Sequence, residues 1–205
     1  MRAHRGDFAG VEELANALIA LAAESGFAQW TAEAMYWRGS CLVRKGMMEE
    51  GISEFQRALA AARDVGAVSA SPSTAWPVVI LVETYSRLGR FEEALAALKE
   101  SEARAAPLFG VTELRRARAQ LQLEAGGCSP REAEEQFREA MGTSRDQGAK
   151  SLELRATTSL ARLLAKQGKR DEARAILADI YNWFTEGFDT ADLKDAKAVL
   201  DELNA

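Results

Sequence analysis

Apolar residues along this chain recur at intervals of three and four, with no sustained strict alternation, so the helical period dominates. The stretch Ala32 to Leu59, AEAMYWRGSCLVRKGMMEEGISEFQRAL, shows the pattern most fully. It predicts two amphipathic helices joined by a tight turn at Gly46. Small residues stand where the two helices must approach: Gly39 midway along the first, Gly51 and Ala58 on the second. Phe55 is the large residue that fills the gap between them. A helical hairpin of this kind cannot bury its apolar stripe alone and needs stacked neighbours.

The rest of the chain supplies them. Glycines that read as helix stops fall at Gly26, Gly66, Gly110 and Gly148, spaced 40, 44 and 38 residues. Hairpin turns recur as RKGMMEEG at Gly46, RLGRFEEA at Gly89, GGCSPREA near Gly127 and KQGKRDEA at Gly168. From Gly10, the segment GVEELANAL matches GISEFQRAL, so Leu14 and Ala17 stand where Phe55 and Ala58 stand. The small residues Gly10, Gly51, Ala94, Ala133 and Ala173 then follow one another at steps of 41, 43, 39 and 40. The chain opens on a second helix without its first, which predicts a piece of a longer array or of a longer protein.

These hairpins resemble the tetratricopeptide repeat (TPR). The resemblance implies an all-α fold, a TPR-like superhelical solenoid of helix hairpins with a C-terminal capping helix. One repeat domain is expected over 1–205, with a half repeat at 10–25, repeats at about 27–65, 75–106, 112–147 and 150–182, and the capping helix at 190–203. Tyr85, Phe91, Ala94 and Leu98 form the packing set of the second repeat, whose helix start is bracketed by Pro72 and Pro77. The run AVSASPST before it reads as a loop between hairpins. The third repeat carries Arg115, Arg116, Arg118 and Gln122 where apolar residues are expected, and two extra turn residues, so it is expected to be the loosest. Asp189-Thr190 can cap the last helix, whose apolar side is Leu193, Ala196, Leu200 and Leu203.

Charge narrows the function classes. A net charge of −5 argues against a general nucleic-acid binder. No apolar run approaches the length of a membrane span, and MRAHRGDFAGVEEL holds no apolar signal core. Two cysteines without a C-x-x-C form neither a disulfide framework nor a metal knuckle, and a reducing cytoplasm is the expected compartment.

No catalytic constellation is legible, and no metal or cofactor is expected. The one histidine, His4, stands in the N-terminal lead-in. The carboxylate pairs Glu49-Glu50, Glu92-Glu93 and Glu134-Glu135 each open a second helix, where the helix dipole favours acids. Gly142 to Ser151, GTSRDQGAKS, imitates a phosphate-binding loop. It has five residues between its glycines, Ala149 before the lysine and no preceding strand, so a helix stop is the better reading. Cys41 fits a small buried site and Cys128 an exposed turn. Trp183, Phe184 and Phe188 are expected to seal the C-terminal end rather than bind a ligand.

The remaining candidate surface is the groove lined by the first helix of each hairpin. Counted along the repeats, its positions are Glu33, Tyr36, Ser40, Val43 and Arg44, then Trp76, Val79, Glu83, Ser86 and Arg87. Glu113, Arg116, Gln120, Leu123 and Glu124 follow, then Arg155, Thr158, Arg162, Ala165 and Lys166. The C-terminal third is basic, which predicts an acidic peptide or a neighbouring acidic domain as partner. The lysine/asparagine pairs of chaperone-tail clamps are missing. A small-ligand sensor is the alternative, resting on Tyr36, Trp37 and Trp76, and the uncovered first helix offers a face for self-association.

A narrower resemblance lies in Gly148 to Leu203. LARLLAKQGKRDEAR (Leu160 to Arg174) and WFTEGFDTADLK (Trp183 to Lys194) resemble the C-terminal repeats of bacterial multidomain signalling proteins. In those proteins an adenylate/guanylate cyclase or other output domain precedes an ATPase module and the repeats. The resemblance implies a regulatory, non-catalytic role and brings no catalytic residues with it.

Overall fold

The computed structural model describes residues 8–64, 72–104 and 111–205. The expected stops at Gly66 and Gly110, the AVSAS loop segment and His4 lie outside the described residues. So does the side chain of Trp76. Among the described residues the chain is all-α. In order come α1 (Phe8–Ser25), α2 (Ala28–Arg44), α3 (Met48–Asp64), α4 (Pro72–Arg87) and α5 (Phe91–Arg104). They are followed by α6 (Val111–Glu124), α7 (Pro130–Asp146), α8 (Lys150–Lys166), α9 (Arg170–Tyr181) and α10 (Ala191–Asn204).

The chain divides into two compact units, Asp7–Leu114 and Arg115–Ala205, where the sequence reads as one domain. In the first unit α1 packs on α2, α2 on α3 and α4 on α5, while α4 also lies against α2 and α3. In the second, α8 packs on α7 and α9, and α10 lies against both α8 and α9.

The hairpin turns share one mechanism. Gly46 takes φ +84°, a conformation that disfavours any side chain. The amide of Met47 then donates to the Leu42 carbonyl (3.0 Å) and that of Gly46 to Val43 (3.0 Å), closing the end of α2. The same wide bond recurs after α4 (Arg90 to Tyr85, 2.9 Å), α7 (Ala149 to Ser144, 2.9 Å) and α8 (Lys169 to Leu164, 2.9 Å). In the GGCSP turn the left-handed residue is Gly126, one place before Gly127.

Long helices account for the wide repeat step. At 17 residues each, α2 and α3 already fill the roughly 34 residues of a common two-helix repeat before any turn is counted. The hairpin closes at Gly39 and Gly51, where the two backbones touch. A Cβ on Gly51 would stand 3.0 Å from the Gly39 carbonyl oxygen. Phe55, fully buried beside this crossing, stacks tilted on Tyr36 with ring centroids 6.2 Å apart. In the second unit Phe137, Leu160, Leu164 and Leu177 take the corresponding buried places in one core with Leu193, Ala196 and Leu200 of α10.

Three helix starts are set in different ways. α4 begins at Pro72, the first of the two prolines that bracket its start, and carries Pro77 inside it, where the helix forgoes one early backbone bond. Thr190 holds the N-cap place of α10 in extended backbone, but its side chain makes no capping bond. α7 has the strongest cap. Ser129 Oγ accepts from the Glu132 amide (3.2 Å), the Glu132 carboxylate accepts from the Ser129 amide (2.8 Å), and Pro130 follows.

The arginines of the third repeat do not break its helix. Leu114, Ala117, Ala119 and Leu121 are buried along α6, while Arg115 and Arg118 lie at its half-exposed edge. Arg115 lies 3.8 Å from the Glu139 carboxylate, and Arg116 is buried against Ser159.

Candidate binding face

The first-helix positions divide by accessibility. In the first unit Tyr36, Ser40 and Val43 on α2 and Val79 on α4 are buried, because α2 is held between α1, α3 and α4. Ser40 Oγ donates back to the Tyr36 carbonyl (2.9 Å), so its hydroxyl is engaged within α2. Arg44 is exposed and its guanidinium lies 4.1 Å from the Phe8 ring centroid. Glu83 and Arg87 on α4 are exposed and Ser86 half-buried, one turn apart on the same helix. Among the described first-helix positions of this unit, these three, with Glu33 and Arg44, are the ones solvent reaches.

In the second unit the groove arginines are already matched. Arg155 Nε and Nη2 donate to the two carboxylate oxygens of Asp192 at 2.9 and 2.7 Å. Arg162 forms a second two-pronged pair with Asp195, at 3.1 and 2.6 Å. Both aspartates belong to α10. Arg116 is buried and donates to Ser159 Oγ (3.3 Å), Thr158 is buried, and the Gln120 amide donates to Glu124 (2.6 Å). Leu123 and Ala165 are half-buried and Lys166 is exposed. The arginine excess read from the sequence is thus largely neutralised by α10. The signal lay in its Asp192/Asp195 spacing, which places two carboxylates on neighbouring turns of one helix.

The paired carboxylates are structural. Glu49 receives Arg90 (3.1 Å) and Glu134 receives Lys169 (3.2 Å), each cation coming from the turn of the following hairpin. Glu134 also binds Arg138 (2.9 Å), whose hydrogen bond holds its carboxyl below the ordinary range. Glu153, unremarked in the sequence, is the most deeply buried acid of this set, taking Arg145 and Lys150 at 2.7 Å each. Burial pushes its carboxyl upward, but the hydrogen bonds from the two cations outweigh it and the pKa falls below the ordinary value. Lys150, the lysine of the apparent phosphate loop, is therefore spent on Glu153, and Gly148 closes α7 at φ +66°.

Other candidates resolve similarly. Cys41 is buried and its thiol is pushed up to about 11, first by burial and then by the Glu12 charge. An open crevice of about 690 Å³ lies between the α8–α9 turn and the end of α10, lined by Lys169, Arg170, Arg174 and Leu203. Its cations are engaged by Glu134, the Glu202 carbonyl and Asp171. Among the described residues no group of three or more histidine, cysteine or carboxylate side chains could hold a metal ion. No described helix is long and apolar enough to cross a membrane. Trp183 and Phe188 do not seal the C-terminal end: both are largely exposed, while Tyr181 and Phe184 take the inward places on the core.

Residues 30–106 match the tetratricopeptide repeat family. No curated protein sequence matches the chain. Among solved structures, the chain is similar to the nearly identical TPR-like repeats of a kinesin-light-chain-like protein of Podosopora anserina. A crystal structure of a point variant of those repeats shares 17% identity and a TM-score of 0.59, over 87% of this chain and 88% of that one. A second structure of them shares 16% identity and a TM-score of 0.56, over 98% and 92%. Both likenesses establish the fold: helical hairpins of the TPR type.

Proposed function

We propose that this chain is a non-catalytic scaffold that binds a protein or peptide segment along the first helices of its hairpins. The observation that carries the reading is the pairing of TPR-type hairpins with an exposed polar face on α4, Glu83 and Arg87, inside the matched stretch 30–106. A guanidinium beside a carboxylate on one helix face suits an extended segment that presents both charges, its acidic residue meeting Arg87. In the second unit an acidic partner would compete with Asp192 and Asp195 for Arg155 and Arg162.

The finer reading, a regulatory region of a cyclase- or ATPase-type bacterial signalling protein acting in the cytoplasm, rests on the two sequence words in Leu160 to Lys194. Its mechanism is docking, in which contacts along the first helices hold a partner or a neighbouring domain in one of two arrangements.

The test is an affinity capture from source-cell cytosol with the chain and with a Glu83→Arg/Arg87→Glu variant as parallel baits. A partner retained by the first and lost from the second supports the reading. Equal retention by both moves the interface off α4, and turnover of a substrate by the isolated chain would replace a scaffold with an enzyme.

A further inference from the structure

The two arginines that α8 turns toward α10, Arg155 and Arg162, stand seven residues apart. That interval is close to two helical turns, so both lie on one face, roughly 10 Å apart along the axis. α10 meets this face in two ways. Leu193, Ala196 and Leu200 are buried in the core of the unit and seat the helix. Asp192 and Asp195 turn to the arginines, each accepting from two nitrogens of one guanidinium. The next acid along, Asp201, pairs instead with Lys197 within α10.

The apolar side of α10 contributes more to its seating than the aspartates do. Arg162 and Asp195 are both half-exposed, and an ion pair that open to water adds little to stability. Arg155 and Asp192 are more enclosed. Both contacts nevertheless have the geometry by which guanidinium groups recognise carboxylates in general, two-pronged and charge-assisted. A first-helix face therefore already carries the kind of group that an acidic partner would bring to it.

Resting on the reading of the first helices as a binding face, we infer that Asp192 and Asp195 form an autoinhibitory contact. They occupy a carboxylate-binding site on α8 that opens to a peptide segment bearing paired acidic residues. Arg162 is the point of entry, because solvent reaches it beside Asp195. Arg155 follows as Asp192 is displaced in turn, and α10 stays seated on its apolar side. The affinity such a peptide shows is its intrinsic affinity reduced by the fraction of chains whose arginines are open. Removing the aspartate charges tightens binding without adding a contact.

The test is fluorescence anisotropy with a labelled octaglutamate peptide at low salt, where exposed charges are least screened. Asp192→Asn/Asp195→Asn keeps the shape of both side chains and should tighten binding at least about fivefold over the unaltered chain. Asp195→Asn alone, at the more exposed pair, should give part of that gain. Asp171→Asn/Asp201→Asn makes the same change in net charge at pairs away from α8, with Arg174 and Lys197, and should give less than about twofold. Arg155→Gln/Arg162→Gln added to the first variant should abolish its gain. Helical circular dichroism checks that every variant is folded. Equal tightening by the two asparagine pairs assigns the effect to net charge and overturns the inference. A probe that binds no variant, or a gain that survives loss of the arginines, overturns it as well. Capture through Glu83 and Arg87 is read on α4, so a partner held there leaves the scaffold standing even where the α8 contact proves not to be inhibitory.

Discussion

Gly39 and Gly51 meet backbone to backbone at the centre of the α2–α3 hairpin, and the space between them is closed on both sides. A Cβ on Gly51 would stand 2.5 Å from Val43 Cγ2 and 3.0 Å from the Gly39 carbonyl oxygen. One on Gly39 would stand 3.1 Å from the Gly51 carbonyl oxygen and 3.2 Å from the Phe55 ring. Alanine gains about 1 kcal/mol of helix propensity over glycine, but overpacking a tight core costs about 1–3 kcal/mol. Gly51→Ala is therefore destabilising, and more so than Gly39→Ala. Urea unfolding of the two variants checks the order: equal midpoints would mean that the hairpin opens at no cost.

The two arginine–aspartate pairs of α8 and α10 differ in burial, and should differ in strength. Arg155 and Asp192 are 16% and 25% exposed, Arg162 and Asp195 46% and 52%. Double-mutant cycles on urea stability should give a coupling of about 1–2 kcal/mol for the first pair and under about 1 kcal/mol for the second. A second pair as strong as the first would contradict the role of solvent screening here.

Glu153 ties stability to acid. Its folded pKa lies below the unfolded carboxylate value near 4.3, so its contribution is fully present above that pH. The contribution is lost as pH falls from there through the folded pKa. Glu153→Gln should lower neutral-pH stability by about 1–3 kcal/mol and flatten the acid limb of the stability–pH curve. An acid limb unchanged by this substitution would assign the linkage to Glu134 and the other paired acids.

The two thiols should separate cleanly in a labelling experiment. Cys128 is half-exposed in its turn, its thiol raised by burial and by Glu132. Cys41 is buried, donates to the Phe8 carbonyl (3.4 Å) and is held near 11. A thiol reagent at about pH 8 should modify Cys128 in the folded chain and Cys41 only on unfolding. Rapid modification of both would mean that α1 lifts from α2 readily.

Where a residue's role depends on its own helix and turn, the sequence already held the answer. Hairpin turns at Gly46, Gly89 and Gly168, the close approach of Gly39 and Gly51, and Phe55 as their filler follow from local φ preference and a 3.6-residue period. The repeat steps near 40 follow because each hairpin can be stable only against another of the same pattern. Tertiary structure decided which of those positions remain available. Tyr36, Ser40 and Val79 occupy groove places by count, yet the neighbouring helices bury them. Arg155 and Arg162 look like free cations in sequence, yet α10 brings Asp192 and Asp195 to them from more than thirty residues away. Leu14 looks like a second Phe55, yet no described helix lies over it. A periodic sequence specifies the faces of each helix, because those depend on angles within a few turns. What covers each face depends on contacts between segments distant along the chain, and only the packed structure sets those.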